Sequence, residues 1–203
     1  EENPKEAYNH NVLASRNIAE AAKRSGAYLI HISTDCVFDG ESGNYKEEDN
    51  NNPINVYGKT KLEAEQSVLS VYPGSCVVRT NIFGWNALNK LSLAEWMLNK
   101  LETGKELPGF KDVRFSPILV NDLAEALFEL YQKKYEGIIH AASSEACSKL
   151  EFARMIAEVF GCDAKCIKPV SCCDVGLRAP RGRDMSLDTS RASSVLGREL
   201  PDI

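Results

Sequence analysis

The sequence predicts an α/β fold built on a parallel sheet. Three short runs, 27–33, 75–79 and 137–142, are dominated by apolar residues and free of proline, the pattern of strands buried on both faces. Segments with apolar residues at helical spacing lie between and around them, so strands and helices alternate along the chain.

Taken in order, residues 4–25 read as a helix, because Ala7, Val12, Ala14, Ile18, Ala19 and Ala22 recur on one face and Gly26 supplies a stop. The first strand, 27–33, ends in the hydroxyl pair Ser33-Thr34. Residues 39–53 form a polar loop with turn residues at both ends. A helix over 56–71 leads to the second strand, 75–79. A helix over 91–102 is closed by Gly104, and 110–120 is extended with a break at Pro117. Asn121 and Asp122 are expected to cap a helix through Tyr131. After the third strand, Ser148-Lys149-Leu150-Glu151 fits a capping box that opens a helix to Phe160, with Gly161 as its end. A last short helix spans 190–196 before Gly197.

The composition is that of an ordinary globular protein, 43% hydrophobic and 26% charged, with a net charge of −5 and a pI near 5.4. No basic footprint suggests nucleic acid, no apolar run approaches a membrane span, and the first residues have no signal-peptide pattern. Cytoplasmic residence is the expectation. The seven cysteines contain no Cys-x-x-Cys, and the three histidines, His10, His31 and His140, are not spaced with them for a metal site. Reduced thiols and no metal are therefore expected.

The chemistry is carried by Ser33-Thr34-Asp35 and by Tyr57-Gly58-Lys59-Thr60-Lys61. Residues four apart share a helix face, so the Tyr57 phenol and the Lys61 ammonium meet one cavity while Lys59 points elsewhere. A nearby cation eases ionisation of a phenol, which suits Tyr57 to proton transfer. Either Thr34 or Ser33 could hold a substrate oxygen at the strand end. Trp85 and Trp96 read as core or pocket-wall residues. The glycines include no G-x-G-x-x-G, so a dinucleotide phosphate cradle is missing. The chain reads as a fragment lacking an N-terminal βαβ portion of roughly 60–70 residues.

The run from Tyr28 to Gly40, followed by Pro53 to Lys61, resembles the extended short-chain dehydrogenase/reductases, and among them the dTDP-4-dehydrorhamnose reductase family. Val78-Arg79-Thr80-Asn81-Ile82-Phe83-Gly84, the stretch from Arg114 to Ala124, and Arg178-Ala179-Pro180-Arg181 extend the likeness nearly end to end. Cys36 stands where the family often has an aromatic. The resemblance implies a Rossmann-like doubly wound sheet, its N-terminal portion missing, with a smaller C-terminal substrate-binding α/β part. Residues 1–84 would carry the catalytic half of the nucleotide-binding domain, and 85–203 the substrate part interleaved with the last sheet elements.

The same resemblance implies the roles. Tyr57 protonates the C4 oxygen of a 4-keto sugar, Lys61 supports it and holds the nicotinamide ribose, and Thr34 hydrogen-bonds the substrate carbonyl. Asn11 completes a tetrad through a helix kink. Ser33, Thr80, Asn81 and Ile82 lie beside NADPH (or NADH). Asp35, Val37 and Phe38 line the sugar pocket, and Arg178, with Arg181 and Arg183, meets the substrate pyrophosphate. The partner is a nucleotide sugar, and a homodimer is among the assemblies that the resemblance allows, with the oligomeric state left open by the sequence. Two rivals follow: an NAD-dependent nucleotide-sugar epimerase or dehydratase, for which Asp35 beside Thr34 speaks, and a non-catalytic regulatory subunit like that of methionine adenosyltransferase.

Overall fold

The computed structural model describes residues 1–88 and 90–203. The first helical segment comprises α1 (Pro4–Tyr8), a π-helical stretch Asn9–Leu13 and α2 (Ala14–Ser25), which Gly26 ends in the left-handed conformation at φ 69°. Next come β1 (Ile30–Ile32), a 3₁₀ turn Asp35–Val37, α3 (Val56–Val71), β2 (Cys76–Arg79) and β3 (Ile82–Phe83). The second part holds α4 (Leu93–Glu102), β4 (Leu107–Phe110), β5 (Arg114–Phe115), β6 (Ile118–Leu119), α5 (Val120–Lys133), β7 (Gly137–His140), β8 (Cys147–Ser148) and α6 (Lys149–Val159). The chain closes with β9 (Ile167–Val170), β10 (Asp184–Met185) and α7 (Ser190–Leu196).

The central sheet has the order β1–β2–β7, all parallel. Its pleat sorts side chains to two faces. Val77 and Ile138 pack with Ala19 and Val68 of α2 and α3. Cys76, Val78 and Ile139 face the opposite way, onto Leu123, Ala126 and Leu130 of α5 and Ala192 and Leu196 of α7. This is the three-layer arrangement expected, and β7 draws the sheet's third strand from the second half of the sequence. A separate core joins α4 and α6 to β4, β5 and β8 through Met97, Leu98, Leu107, Phe115, Phe152 and Ile156. Two-stranded parallel pairs, β3–β6 and β4–β9, and the mixed trio β10–β5–β8 complete the fold.

Three expectations need correction. The strand over 27–33 is shorter, and Ile30, His31 and Ile32 are half-buried in this 203-residue chain, where β1 has one strand neighbour, β2. Asn121 and Asp122 do not cap α5: the helix begins at Val120, so both residues lie inside its first turn. The helix expected over 91–102 starts at Leu93, because Ser92 and Glu95 form a reciprocal capping box that the sequence reading passed over. The corresponding box at Ser148 and Glu151 forms as expected. Among the described residues, no helix is long and apolar enough to cross a membrane.

Candidate active site

The site forms where β1, β2 and α3 meet. Asn55 caps α3, accepting from the Gly58 amide at 2.8 Å, and Gly58 lies against the Cys36 carbonyl so closely that a Cβ would overlap it. The absence of a side chain at Gly58 therefore lets the Tyr57 end of α3 rest directly on the turn after β1. Tyr57, Lys61, Ser33, Thr34, Asp35, Thr80, Asn81 and Ile82 line one open cavity of about 340 Å³. Lys59 faces solvent, as its spacing requires.

Lys61 donates from Nζ to the Ile32 carbonyl at 2.6 Å, tying the helix to the strand end. Burial lowers its pKa, with Glu65 opposing. Tyr57 departs from the sequence expectation. Tyr57 is 50% exposed, and the part of it that is buried pushes its phenol above the ordinary value, while the nearby Thr34 hydroxyl draws it partway back and Asp35 and Cys36 add to the rise. The easing of ionisation expected from Lys61 is not seen in this state.

Thr34 caps the 3₁₀ turn: its hydroxyl accepts from the Cys36 amide at 3.2 Å and donates to Asp35 Oδ1 at 2.9 Å. Asn81 Nδ2 donates to Asp35 Oδ2 at 2.6 Å, so the Asp35 carboxylate is held from both oxygens. Ser33 turns its hydroxyl to Glu65 Oε1, which separates it from Thr34 as a carbonyl partner. Glu65 continues the Tyr57–Lys61 face by one more turn and forms a buried bidentate pair with Arg79, at 2.7 Å from Nη2 and 3.0 Å from Nε. The sequence reading missed this pair, although the spacing of 57, 61 and 65 was its signal. Among the described residues, Thr80 Oγ1 is buried beside the cavity without a hydrogen-bond partner, an orphaned donor that a bound polar ligand would satisfy.

Asn11 sits in the π-helical stretch but donates to Thr60 Oγ1 at 2.9 Å, one residue short of Lys61. Val37 is fully buried in the core and lines neither cavity, which corrects its expected pocket role. Phe38 is also fully buried, stacked on Tyr45 at 4.2 Å, and contributes to the wall of a second cavity. Trp96 lines that cavity, whereas Trp85 is 65% exposed and is neither core nor wall.

The second cavity, about 420 Å³, shares Asp35, Cys36 and Asn81 with the first and runs toward the substrate part. Arg178 does not reach it: its side chain is exposed and paired with Glu2. Arg181 and, unanticipated, Arg114 and Lys149 line it instead. In the sequence Lys149 stands inside a capping box, and nothing in its spacing marks it. Among the described residues, Asp112 gathers with Cys172 and Cys173, but Asp112 already accepts from the Cys172 amide at 2.9 Å and from Ser171 as a turn cap.

A parallel three-layer sheet that sets a hydroxyl turn against a Tyr-x-x-x-Lys helix defines a Rossmann-like protein of the short-chain dehydrogenase/reductase type. The chain belongs to the RmlD substrate binding domain family, which matches residues 1–203. It is 35% identical to the dTDP-4-dehydrorhamnose reductase of Mycobacterium tuberculosis over 93% of this chain and 64% of that protein. It is also 35% identical to methionine adenosyltransferase 2 subunit beta of Bos taurus, over 99% of this chain and 62% of the relative. The solved dTDP-4-dehydrorhamnose reductase of Bacillus anthracis, in complex with NADP, superposes with a TM-score of 0.87 at 29% identity, covering 95% of this chain and 68% of that one. The chain thus spans a little over three fifths of the length of the two curated relatives.

Proposed function

We propose that this chain carries the proton-transfer and sugar-holding part of an NAD(P)H-dependent reductase that converts the C4 ketone of dTDP-4-dehydro-L-rhamnose to the alcohol of dTDP-L-rhamnose. The observation that carries the reading is the convergence of Tyr57, Lys61, Thr34 and the unsatisfied Thr80 hydroxyl on one cavity. The similarity to a dTDP-4-dehydrorhamnose reductase supports the substrate class.

When bound, the reduced nicotinamide supplies a hydride to the carbonyl carbon. Lys61, Tyr57, Thr80, Asn81, Ile82 and the main chain at Ser33 would hold it, since these groups border the cavity. The protein's task is to steady the oxygen and deliver a proton. The Thr34 hydroxyl, turned from Asp35 toward the ketone, donates a hydrogen bond to its oxygen. Tyr57, which the raised pKa keeps protonated at neutral pH, gives its phenolic proton to that oxygen as negative charge develops there. The Lys61 ammonium stabilises the resulting phenolate until solvent returns the proton.

The test is to supply full-length protein with NADPH and dTDP-4-dehydro-β-L-rhamnose and follow absorbance near about 340 nm, where the reduced cofactor absorbs. Stoichiometric loss of NADPH with formation of dTDP-L-rhamnose supports the reading. Conversion of a nucleotide sugar without net NADPH loss points to an epimerase or dehydratase. A second reading, a binding subunit without turnover, is favoured by the likeness to the bovine methionine adenosyltransferase subunit. Absence of turnover together with co-purification of a synthetase would establish that reading instead.

A further inference from the structure

Lys149 occupies an unusual place for a lysine. It is the first residue of α6, where the helix dipole disfavours a cation. Its ammonium lies 2.9 Å from the centroid of the Phe115 ring, and among the described residues it makes no ion pair or hydrogen bond. It borders the 420 Å³ cavity whose other charged walls are Asp35, Arg114 and Arg181. The rest of that lining is largely apolar, with Trp96, Phe110 and Phe115 among it. A desolvated, unpaired cation facing an apolar cavity is costly unless an anion completes it.

We propose that Lys149 is a specificity-determining residue that binds the diphosphate of the nucleotide sugar, with Arg181 and Arg114 as the flanking cations. The inference rests on the functional reading above, because it takes its ligand class from there. Arg114 is already paired with Glu151 at 3.7 Å and Asp184 at 3.8 Å, which leaves Lys149 and Arg181 against the single Asp35 carboxylate, so the cavity favours an anion that brings its own apolar base and sugar. The diphosphate would lie between the base, held on the aromatic walls, and the sugar, which extends through the shared Asp35–Asn81 edge into the catalytic cavity.

The groups facing Lys149 make this recognition depend on pH. Burial, aided by Arg181, lowers its pKa to about 7, while Asp35 and Cys36 of the 3₁₀ turn and Cys147 of β8 act in the other direction. Arg114 of β5 borders the same space. Lys149 therefore loses its charge as the pH rises through neutrality, and anion binding should weaken with it.

The experiment is calorimetric titration of the protein with dTDP-glucose, whose diphosphate diester does not titrate in this range, and with thymidine, which has no phosphate. Wild type is compared with Lys149→Met and Lys149→Arg between about pH 6 and about pH 8.5, with thermal melting to confirm folding. The expected result is a loss of about tenfold or more in dTDP-glucose affinity for Lys149→Met at low pH, in the range of a lost charged hydrogen bond. Thymidine affinity stays the same, Lys149→Arg retains most of the binding, and the wild-type decline with pH disappears in Lys149→Met. Equal dTDP-glucose affinity for wild type and Lys149→Met overturns the inference and leaves the functional reading intact. Failure of wild type to bind dTDP-glucose at any pH overturns both.

Discussion

Arg79 and Glu65 form a bidentate ion pair that is almost wholly removed from solvent, next to the face of α3 that carries Tyr57 and Lys61. Glu65 also accepts the Ser33 hydroxyl, so the pair fastens the end of β1 to α3. Removing one partner leaves a buried charge uncompensated, which costs about 3–5 kcal/mol. Glu65→Leu should lower stability by that order in urea denaturation, and the double variant Glu65→Leu with Arg79→Met should recover much of the loss. A single variant that unfolds at the wild-type midpoint would show that the pair does not hold the strand end.

Gly58 should be intolerant of any side chain. A methyl group there meets the Cys36 carbonyl on the turn after β1 and Pro53 in the loop before α3. Gly58→Ala should reduce stability by about 1–3 kcal/mol through overpacking, although alanine ordinarily favours a helix over glycine. A Gly58→Ala variant as stable as wild type would place α3 farther from the turn than the structure has it.

His140 is fully buried on β7, and burial, with the Arg79 charge beside it, lowers its pKa from 6.5 to about 4. A base whose folded pKa is depressed favours the folded state fully above the unfolded value and loses that contribution as the pH falls toward the folded one. Stability should therefore drop between pH 6.5 and about 4 by an amount that reaches about 3 kcal/mol for this group. Denaturation midpoints for wild type and His140→Leu, taken across that window, test it: the variant should show the shallower decline, and parallel curves would contradict it.

The sequence contains no glycine-rich strand-turn-helix to receive a pyrophosphate. The 203-residue chain should accordingly bind NADPH weakly even though the cavity lined by Tyr57 and Lys61 is formed. A calorimetric titration giving micromolar affinity would show that the catalytic face alone suffices.

Much of this was legible in the residues, for physical reasons that differ from place to place. The central sheet and its helices declare themselves because β2 and β7 are short apolar runs that must be covered on both faces. Tyr57 and Lys61 are readable because a helix fixes which residues share a face. Arg178, by contrast, lies in an irregular loop where no period ties sequence to direction, and the cavity takes Arg181 instead. Val37 and Phe38 follow a hydroxyl turn that looked like a pocket rim, yet the 3₁₀ turn rotates Val37 into the core. Lys149 and Arg114 were hidden because their importance comes from β5 and the start of α6 meeting across the cavity, a long-range relationship that local pattern does not encode.

The central claim is that Tyr57 delivers the proton in reduction of a 4-keto nucleotide sugar. Its most direct test is the rate of NADPH consumption by full-length protein with saturating dTDP-4-dehydro-β-L-rhamnose, compared between wild type and Tyr57→Phe. The account predicts a fall in kcat of about 10²- to 10⁴-fold, the scale of a lost general acid, with dTDP-glucose binding unchanged. Equal turnover by wild type and Tyr57→Phe would contradict it.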